Sequence, residues 1–499
     1  MMDSNRRDFI KYVVAGALAV GCPGGLSQTA RATIEPGQPK LDSEDNTICH
    51  KVRDGARFKR PSVSSTYELI IIGGGISGLV AAYRSGNCDF LLLEKEPHLG
   101  GNAYAMEYEN CAFATGTAYI ESGIAVQLAR ELGMEPLPIN NWDGSIIKGD
   151  FIPDCWGSGL DHLPYRGPVR DSFRNFRDRI LKITVERRAK ELDNLPFTHF
   201  LRGYPPEIKE WWDCFGPSNW GALAHETSSL VAITAFQAFA GPNRNDDRFT
   251  WPGGIGALSR RLVDTLLPKS DERMLKGCTA VAVENEKDAV NVTYMHQGEL
   301  TTVAAKAVIM ATPKYITARL VVGLPPAQLE AMRKIRYVPY PVVNLLYDKP
   351  VFDKGYDTWC PGNSFTDVIV ADWTIRNRPD YSPKFHILSC YAPMRESDRS
   401  LFLSDAGTIE VAKQVVRDVT KTLPDTQAEP IEVHIFRRGH PMFMAKPGNF
   451  THTLPQVRKP FDRIFFANTD SQGPISTTTG AIQAAERAID EVAVRLKKA

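Results

Sequence analysis

Five closely spaced residues near position 75 have the types needed to hold a dinucleotide. They follow the apolar run 67–72, which reads as a buried β-strand. A second apolar run, Phe90–Leu93, leads straight into the acidic residue Glu94. The residues of the turn and of the helix start that it predicts are Gly73, Gly75, Ile76, Ser77 and Gly78. Strand, glycine turn, helix, strand and acid in this order predict a βαβ dinucleotide-binding unit.

Each residue type has a physical reason to stand where it does. Gly73 permits a tight turn, and Gly75 lets the backbone approach a pyrophosphate at the positive end of a helix. Gly78 lets the helix pack closely against the strand, because it has no side chain. The carboxylate of Glu94 can accept hydrogen bonds from a ribose hydroxyl. The chemistry predicted here is therefore recognition of a nucleotide cofactor.

The sequence after Glu94 contains a second glycine pair, Gly100-Gly101, followed by Asn102. This arrangement resembles the flavin-dependent amine oxidase and desaturase superfamily, in which the loop covers the FAD pyrophosphate. Further stretches resemble that family in the same order along the chain: 113–119, 251–258, 280–294, 307–313, 463–470 and 479–487. The resemblance spans the chain from end to end and implies bound FAD.

The resemblance also implies further cofactor-binding residues. Asp470 stands where an acidic residue contacts the ribityl-phosphate region, and the stretch 477–480 leads the closing helix under the flavin ring. The remaining implied FAD contacts are Lys95, Gly101, Asn102, Gly116, Thr117, Ala280, Thr477 and Thr478. The tethering cysteine of some relatives has no counterpart in 441–448, so we expect non-covalent FAD.

The fold class implied is α/β, with a Rossmann-type FAD-binding domain and an interleaved substrate domain of mixed sheet and helices. The FAD domain is expected in three pieces, at 67–130, 245–330 and 455–499. The substrate domain, or lid, is expected at 131–244 and 331–454. Residues 33–66 are rich in Pro, Ser and charge, which is typical of a linker or a surface-wrapping segment.

The chemistry implied is hydride transfer from a C–N substrate to flavin N5, giving an imine and then an aldehyde. Two family features are missing from this sequence. The lysine that many amine oxidases hold near N5 would fall near Val342, and no tyrosine of an aromatic cage stands in 477–479. Both departures argue against a plain monoamine oxidase and against fast reaction with oxygen. A quinone or a cytochrome is then an electron acceptor to consider.

Two short stretches, 50–55 and 436–443, resemble bacterial spermidine-dehydrogenase-type proteins, which act on polyamines. This resemblance makes His440 a candidate catalytic residue, with a structural histidine as the alternative. Asn344 and Tyr340 are candidates to face the substrate if their strand alternates in the expected sense, with strand packing as the alternative. The lid acids Asp213 and Glu226 are available to match a polyamine.

The N-terminus carries an export pattern. The stretch 5–11 contains Arg6-Arg7 and resembles a twin-arginine signal, followed by a short apolar run and the small-residue site 30–32. It predicts passage through the Tat translocase, with a signal peptide at 1–32 and a periplasmic location. Lipid anchoring at Cys22 is a weaker alternative, because the residues before it fit a lipoprotein site poorly.

Composition narrows the function classes. A hydrophobic content of 43% and a charged content of 23% are typical of a soluble globular enzyme. A formal net charge of +1 gives no electrostatic reason to expect nucleic-acid binding. The nine cysteines have no C-x-x-C spacing, so we predict no structural metal.

Three functions remain open from sequence. The first is an exported FAD-dependent amine or polyamine dehydrogenase. The second is a desaturase or oxidase of C–C bonds in an apolar substrate, isoprenoid or porphyrin-like. The third is a non-catalytic flavin-binding protein. An acidic pocket would favour the first, and a long apolar tunnel the second.

Overall fold

The computed structural model describes residues 38–108, 111–241, 247–423 and 428–497. The predicted twin-arginine segment and Cys22 lie outside the described residues. Within the described residues, every helix is too short or too polar to cross a membrane. In the same ranges, no group of three or more His, Cys, Asp or Glu side chains is placed to hold a metal ion.

A seven-stranded sheet forms the nucleotide-binding half of the molecule. Its central strand Val63–Ile72 lies parallel to Phe90–Leu93 on one side and to Glu299–Met310 on the other. The other members are Met274–Leu275, Ile464–Phe466, Val290–His296 and Cys278–Asn285. The last two pair antiparallel. The sheet is therefore parallel where the nucleotide motif lies and antiparallel at its far edge.

Helices cover both faces of this sheet, which explains why its central strands are apolar throughout. Leu69 and Ile71 pack on one face, while Ile70 and Ile72 pack on the other, following the two-residue period of a strand. The helices on the first face are Ile76–Arg84, Ile124–Glu131, Gly256–Ser270 and Thr478–Lys497. Those on the second face are Lys314–Leu320, Pro326–Lys334 and Leu454–Val457. The predicted α/β class is confirmed.

An eight-stranded mixed sheet forms the other half. Its strands in spatial order are Lys40–Ser43, Glu432–Arg437, Val342–Tyr347, His386–Tyr391, Asp367–Val370, Asp357–Trp359, Gly144–Ile147 and Asp150–Pro153. Helix Asp405–Thr422 packs on one face through apolar residues spaced three and four apart. An aromatic cluster around Trp156, Trp211 and Trp212 joins this half to its other helices. Those helices are Gly167–Leu181, Ala189–Asp193, Thr198–Leu201, Pro206–Trp220 and Ser229–Ala240.

Short strands connect the two halves. They form a pair Ala105–Tyr108 and Cys111–Ala114, a pair Tyr337–Val338 and Met442–Phe443, and a group of three: Ile120–Glu121, Arg248–Thr250 and Leu137–Pro138.

The described part of the segment 33–66, expected as a linker or a surface-wrapping segment, contains regular secondary structure. Lys40–Ser43 is an edge strand of the eight-stranded sheet, and Thr47–Arg53 is a helix. The backbone of Lys40–Ser43 pairs in parallel with Glu432–Arg437, so a segment remote in sequence completes this sheet edge. The composition of the segment is that of a linker. Its strand could not be predicted locally, because the pairing partner lies near the other end of the chain.

Candidate active site

A cavity of about 290 Å³ lies at the carboxyl ends of the parallel strands, where nucleotides bind in α/β sheets. We call it the cofactor cavity. Among the residues that line it are Gly73, Gly75, Ile76, Ser77, Glu94, Lys95, Gly101, Asn102, Thr117, Ala280, Thr477 and Thr478. Pieces of chain from 44 to 481 thus meet around one space.

Three glycines in or behind the cavity wall stand where side chains do not fit, and of these Gly78 lies behind the wall. Gly73 has a backbone φ of +108°, which L-residues rarely adopt. A Cβ on Gly78 would lie 1.8 Å from the carbonyl oxygen of Gly73, so helix and strand could not approach as they do. A Cβ on Gly101 would lie 3.1 Å from the Cα of Gly75. Gly75 precedes helix Ile76–Arg84, whose first N–H groups can receive a phosphate.

Glu94 links the glycine turn to the second strand. Its Oε2 accepts a hydrogen bond from the backbone N–H of Gly74 at 2.6 Å, and its Oε1 accepts one from Glu96 at 2.8 Å. Burial raises the pKa of this carboxyl despite the two bonds. Each carboxylate oxygen has a further lone pair, so Glu94 can also accept a ribose hydroxyl in the cavity.

Asp470 differs from its predicted role. It is fully buried, and its Oδ1 accepts a hydrogen bond from Lys314 Nζ at 2.8 Å. Its Oδ2 accepts the hydroxyl of Tyr337 at 2.5 Å and the backbone N–H of Lys314 at 2.8 Å. The carboxylate therefore lies behind the cavity wall and fixes Tyr337, which does line the cavity. The sequence motif located Asp470 near the cofactor but could not show which way its side chain points.

A second pocket of about 210 Å³ adjoins the cofactor cavity. We call it the tyrosine pocket, because Tyr119, Tyr340 and Tyr391 line it. Gly116, predicted as an FAD contact, lies in its wall. The residues that line both spaces are Asn102, Thr117, Arg438, Pro441, Ser476, Thr477 and Thr478. This shared wall is the place where a flavin ring and a substrate would meet.

Two carboxylates that sequence reasoning missed line the tyrosine pocket. Asp357 and Asp367 are only 2% and 3% exposed and lie on adjacent antiparallel strands. Asp367 Oδ1 accepts a hydrogen bond from Thr366 Oγ1 at 2.6 Å, and burial raises the pKa of Asp367 to about 7. An acid at the start of a short apolar strand, as in 367–370, was the available signal.

The lid acids named from sequence lie elsewhere. Asp213 and Glu226 line a separate cavity of about 590 Å³ beside helix Asp405–Thr422. The acidic residues that line the tyrosine pocket therefore come from strands rather than from the helical lid. Asp357 and Asp367 lie in the eight-stranded sheet, and the exposed Glu121 lies in the short strand Ile120–Glu121.

The candidates Tyr340 and Asn344 separate in the structure. Tyr340 lines the tyrosine pocket, and its hydroxyl lies 2.7 Å from Ser218 Oγ. Burial raises the pKa of Tyr340 well above its ordinary value, so its hydroxyl stays neutral. Asn344 is fully buried behind the pocket, donates to the carbonyl of Ala114 at 3.2 Å and accepts from Ser389 Oγ at 2.5 Å. Asn344 is thus a packing residue, which is the alternative left open from the sequence, and it does not line the pocket.

His440 lines the cofactor cavity rather than the tyrosine pocket. Its ring packs against Tyr315, with 4.7 Å between the ring centroids. Desolvation, together with the charge of Arg399, lowers the pKa of His440 to about 4. At neutral pH His440 is therefore an uncharged hydrogen-bonding group in the wall of the cofactor cavity and is not an imidazolium that could act as an acid.

Comparison with known proteins agrees with this geometry. The model of the flavin containing amine oxidoreductase family matches residues 76–493. The chain belongs to this family. It is 24% identical to amine oxidase [flavin-containing] A of Canis lupus familiaris, covering 88% of this chain and 87% of that protein. It is 25% identical to oxidoreductase PigB of Serratia sp., covering 83% and 73%.

Among solved structures, a putrescine oxidase with bound putrescine superposes with a TM-score of 0.67 at 17% identity, covering 86% of this chain and 99% of that one. This likeness shows the shared fold. The family membership makes the protein an FAD-dependent oxidoreductase. The glycine cradle, the helix start at Gly75 and the Glu94 carboxylate fit FAD, which supplies a hydride acceptor when bound.

Proposed function

We propose that the protein is an exported FAD-dependent oxidoreductase that oxidises the C–N bond of an amine or polyamine. The product is an imine, which water hydrolyses to an aldehyde and an amine. The observation that supports this proposal most directly is the pair of buried carboxylates, Asp357 and Asp367, in the wall of the tyrosine pocket. Carboxylates in a pocket wall attract positive charge, most strongly where water is excluded, so this pocket suits a ligand with an ammonium group.

The tyrosine side chains suit the same ligand. The faces of aromatic rings attract cations, most strongly where water is excluded. The rings of Tyr340 and Tyr391 meet edge to face, with centroids 5.9 Å apart. A chain of methylene groups can lie against such rings while an ammonium group reaches the carboxylates. The pocket residues would thus orient one end of a diamine and leave the other end at the wall shared with the cofactor cavity.

A structural relative that shares the fold of this chain holds putrescine, and this analogy supports the proposal. Putrescine is a diamine, the ligand chemistry that two carboxylates in one pocket would favour. The resemblance to spermidine-dehydrogenase-type proteins stays a prediction from the stretches 50–55 and 436–443.

The test is flavin bleaching without oxygen. The purified holoenzyme is mixed with monoamines, diamines and polyamines while the absorbance of oxidised flavin is followed. Bleaching by a diamine or polyamine, with slow recovery in air, is the expected result. The variants Asp357→Asn and Asp367→Asn should retain flavin, but a higher amine concentration should be needed to bleach it. If every amine leaves the flavin oxidised, the amine proposal is wrong.

The alternative is oxidation of C–C bonds in an apolar isoprenoid or porphyrin-like substrate. Its support is the likeness in fold to a putative protoporphyrinogen oxidase from Exiguobacterium, with a TM-score of 0.66 at 19% identity. The carboxylates of the tyrosine pocket oppose it, since they attract a cationic ligand more than an apolar one. Bleaching by such a substrate, together with failure of all amines, would replace the first proposal.

Export and electron transfer belong to the same proposal. The pair Arg6-Arg7 predicts passage through the Tat translocase with FAD already bound. The missing lysine near Val342 and the missing aromatic-cage tyrosine favour a quinone or a cytochrome as electron acceptor, with oxygen as the alternative. Replacing both arginines by lysine should leave the protein in the cytoplasm, as measured by cell fractionation. Periplasmic accumulation of that variant would exclude twin-arginine export.

Acid precipitation that releases all flavin into solution would show the expected non-covalent binding.

A further inference from the structure

The segment of residues 38–56 crosses from one sheet to the other. Its strand Lys40–Ser43 pairs with Glu432–Arg437 of the eight-stranded sheet. Its helix Thr47–Arg53 packs beside strand Cys278–Asn285 of the seven-stranded sheet. The family model begins to match at residue 76, so this segment lies outside the matched region. We call residues 38–56 the clasp.

Three residues of the clasp line the cofactor cavity: Glu44, Asn46 and Cys49. The Oε1 atom of Glu44 lies 3.2 Å from Nη1 of Arg438, which is 7% exposed and donates through Nη2 to Thr115 Oγ1 at 2.9 Å. The clasp therefore contacts the wall that the cofactor cavity shares with the tyrosine pocket.

The charges around Glu44 tie the clasp to both halves of the molecule. Burial by itself raises the pKa of Glu44. The positive charges of Lys95 and Arg438 together lower this pKa by more, so the net shift is downward and the carboxyl group is ionised at neutral pH. Lys95 lies just after strand Phe90–Leu93 of the seven-stranded sheet. Arg438 lies just after strand Glu432–Arg437 of the eight-stranded sheet. One clasp carboxylate thus balances a cation from each side of the cavity.

The other end of the clasp is anchored away from the cavity. Lys40 Nζ donates to Glu432 Oε2 at 2.6 Å and to the hydroxyl of Tyr108 at 3.1 Å. The side chains of Lys40 and Glu432 are 33% and 19% exposed, so this pair is better shielded from solvent than an ordinary surface ion pair. The anchor can be broken without touching the cavity.

We propose that the clasp is part of the FAD site: Glu44 and Asn46 contact the cofactor, and the clasp must detach before FAD leaves. Glu44 accepts hydrogen bonds from hydroxyl groups of FAD while it holds Lys95 and Arg438 in place. This inference rests on FAD binding, which the family establishes, and is independent of the amine substrate.

The first test measures FAD release from the holoenzyme. Free flavin fluorescence is followed after dilution for the parent, Lys40→Met and Glu44→Gln. Release should be about tenfold faster in both variants, since each loses a charge-assisted hydrogen bond that holds the clasp. The control Lys306→Met removes an exposed ion pair with Glu68 outside the clasp and should release FAD at the parental rate. Parental rates in both clasp variants would overturn the proposal.

The second test needs no cavity substitution. Alkylation of Cys49 is quantified by mass spectrometry, with the fully buried Cys360 as an internal reporter of unfolding. Cys49 should react slowly in the parental holoenzyme and faster in Lys40→Met and after FAD removal, while Cys360 stays unmodified. Equal Cys49 labelling with and without FAD would refute the clasp. So would labelling of Cys49 and Cys360 in parallel, which would indicate global unfolding.

Discussion

Lys314 Nζ lies 2.8 Å from Asp470 Oδ1, and both side chains are completely buried. The pair joins the start of helix Lys314–Leu320 to the turn after strand Ile464–Phe466, and both pieces border the cofactor cavity. Desolvation lowers the pKa of Lys314, and the charge of Asp470 opposes that change. The stability of the cavity wall therefore depends on keeping both partners.

The substitution Asp470→Asn should be strongly destabilising, because it leaves the buried Lys314 ammonium without its counter-charge. We expect a loss of about 3–5 kcal/mol in the free energy of unfolding. Urea denaturation followed by tryptophan and flavin fluorescence measures it. Asp490→Asn, at an exposed position of helix Thr478–Lys497, is the matched control and should change little. Equal stability of the two variants would show that the buried pair is dispensable.

The raised pKa of Asp367 predicts a pH dependence of catalysis. Below about 7 the carboxyl is protonated and no longer attracts an ammonium group. The value of kcat/KM for a diamine should therefore fall as pH decreases through 7, by about tenfold per unit at the steepest. Asp367→Asn should lower kcat/KM at pH 8 and remove this limb. A limb that persists in Asp367→Asn would assign it to another group.

The same pKa predicts how stability changes with pH. Because the folded pKa of Asp367 exceeds the unfolded one, the folded state binds the extra proton, and this contribution to stability is fully present below pH 4. It is lost as pH rises through about 7, where the buried carboxyl ionises. Asp367→Asn should therefore gain stability relative to the parent above pH 7, and thermal unfolding at pH 5 and pH 9 compares the two proteins. A constant difference across that range would contradict the prediction.

Asn344 and Tyr340 should respond differently to substitution, since one packs behind the pocket and the other lines it. Asn344→Ala leaves Ser389 and the Ala114 carbonyl without partners and should lower the free energy of unfolding by about 1–3 kcal/mol. Its KM for the amine should stay near the parental value. Tyr340→Phe should instead raise KM, because its hydroxyl lies in the pocket wall. Steady-state kinetics and denaturation together distinguish these outcomes, and the reverse pattern would mean that the assignments are exchanged.

Gly78→Ala tests the close packing of the nucleotide motif. The new Cβ would lie 1.8 Å from the Gly73 carbonyl oxygen, so the turn must shift away from FAD. We expect purified protein with much less bound flavin and a stability loss of about 1–3 kcal/mol. Gly167→Ala, where a Cβ meets open space, should bind flavin normally. The ratio of flavin to protein absorbance reports the result, and equal ratios would rule out the steric argument.

Much of the cofactor site could be predicted because its residues act through the backbone or through short motifs. The glycine turn, the Glu94 strand end and the Thr477 stretch all meet around the cofactor cavity. Side-chain direction was harder to predict. Asp470 and Asn344 lie near the expected places, but their side chains turn to Lys314 and Ser389, which are distant in sequence. The clasp was missed because strand Lys40–Ser43 forms only by pairing with residues near 434.

The FAD-binding βαβ unit and the family can be predicted from the sequence, because glycine spacing and apolar strands act locally and leave a readable pattern. The tyrosine pocket, in contrast, exists only in the folded chain. Tyr119, Tyr340, Asp357 and Asp367 come from separate strands and loops and share no motif. Their chemistry arises from burial and from one another's proximity. Burial and proximity are properties of the packed sheet. They change the pKa values and the orientations of these side chains, and neither can be read from the residue types alone.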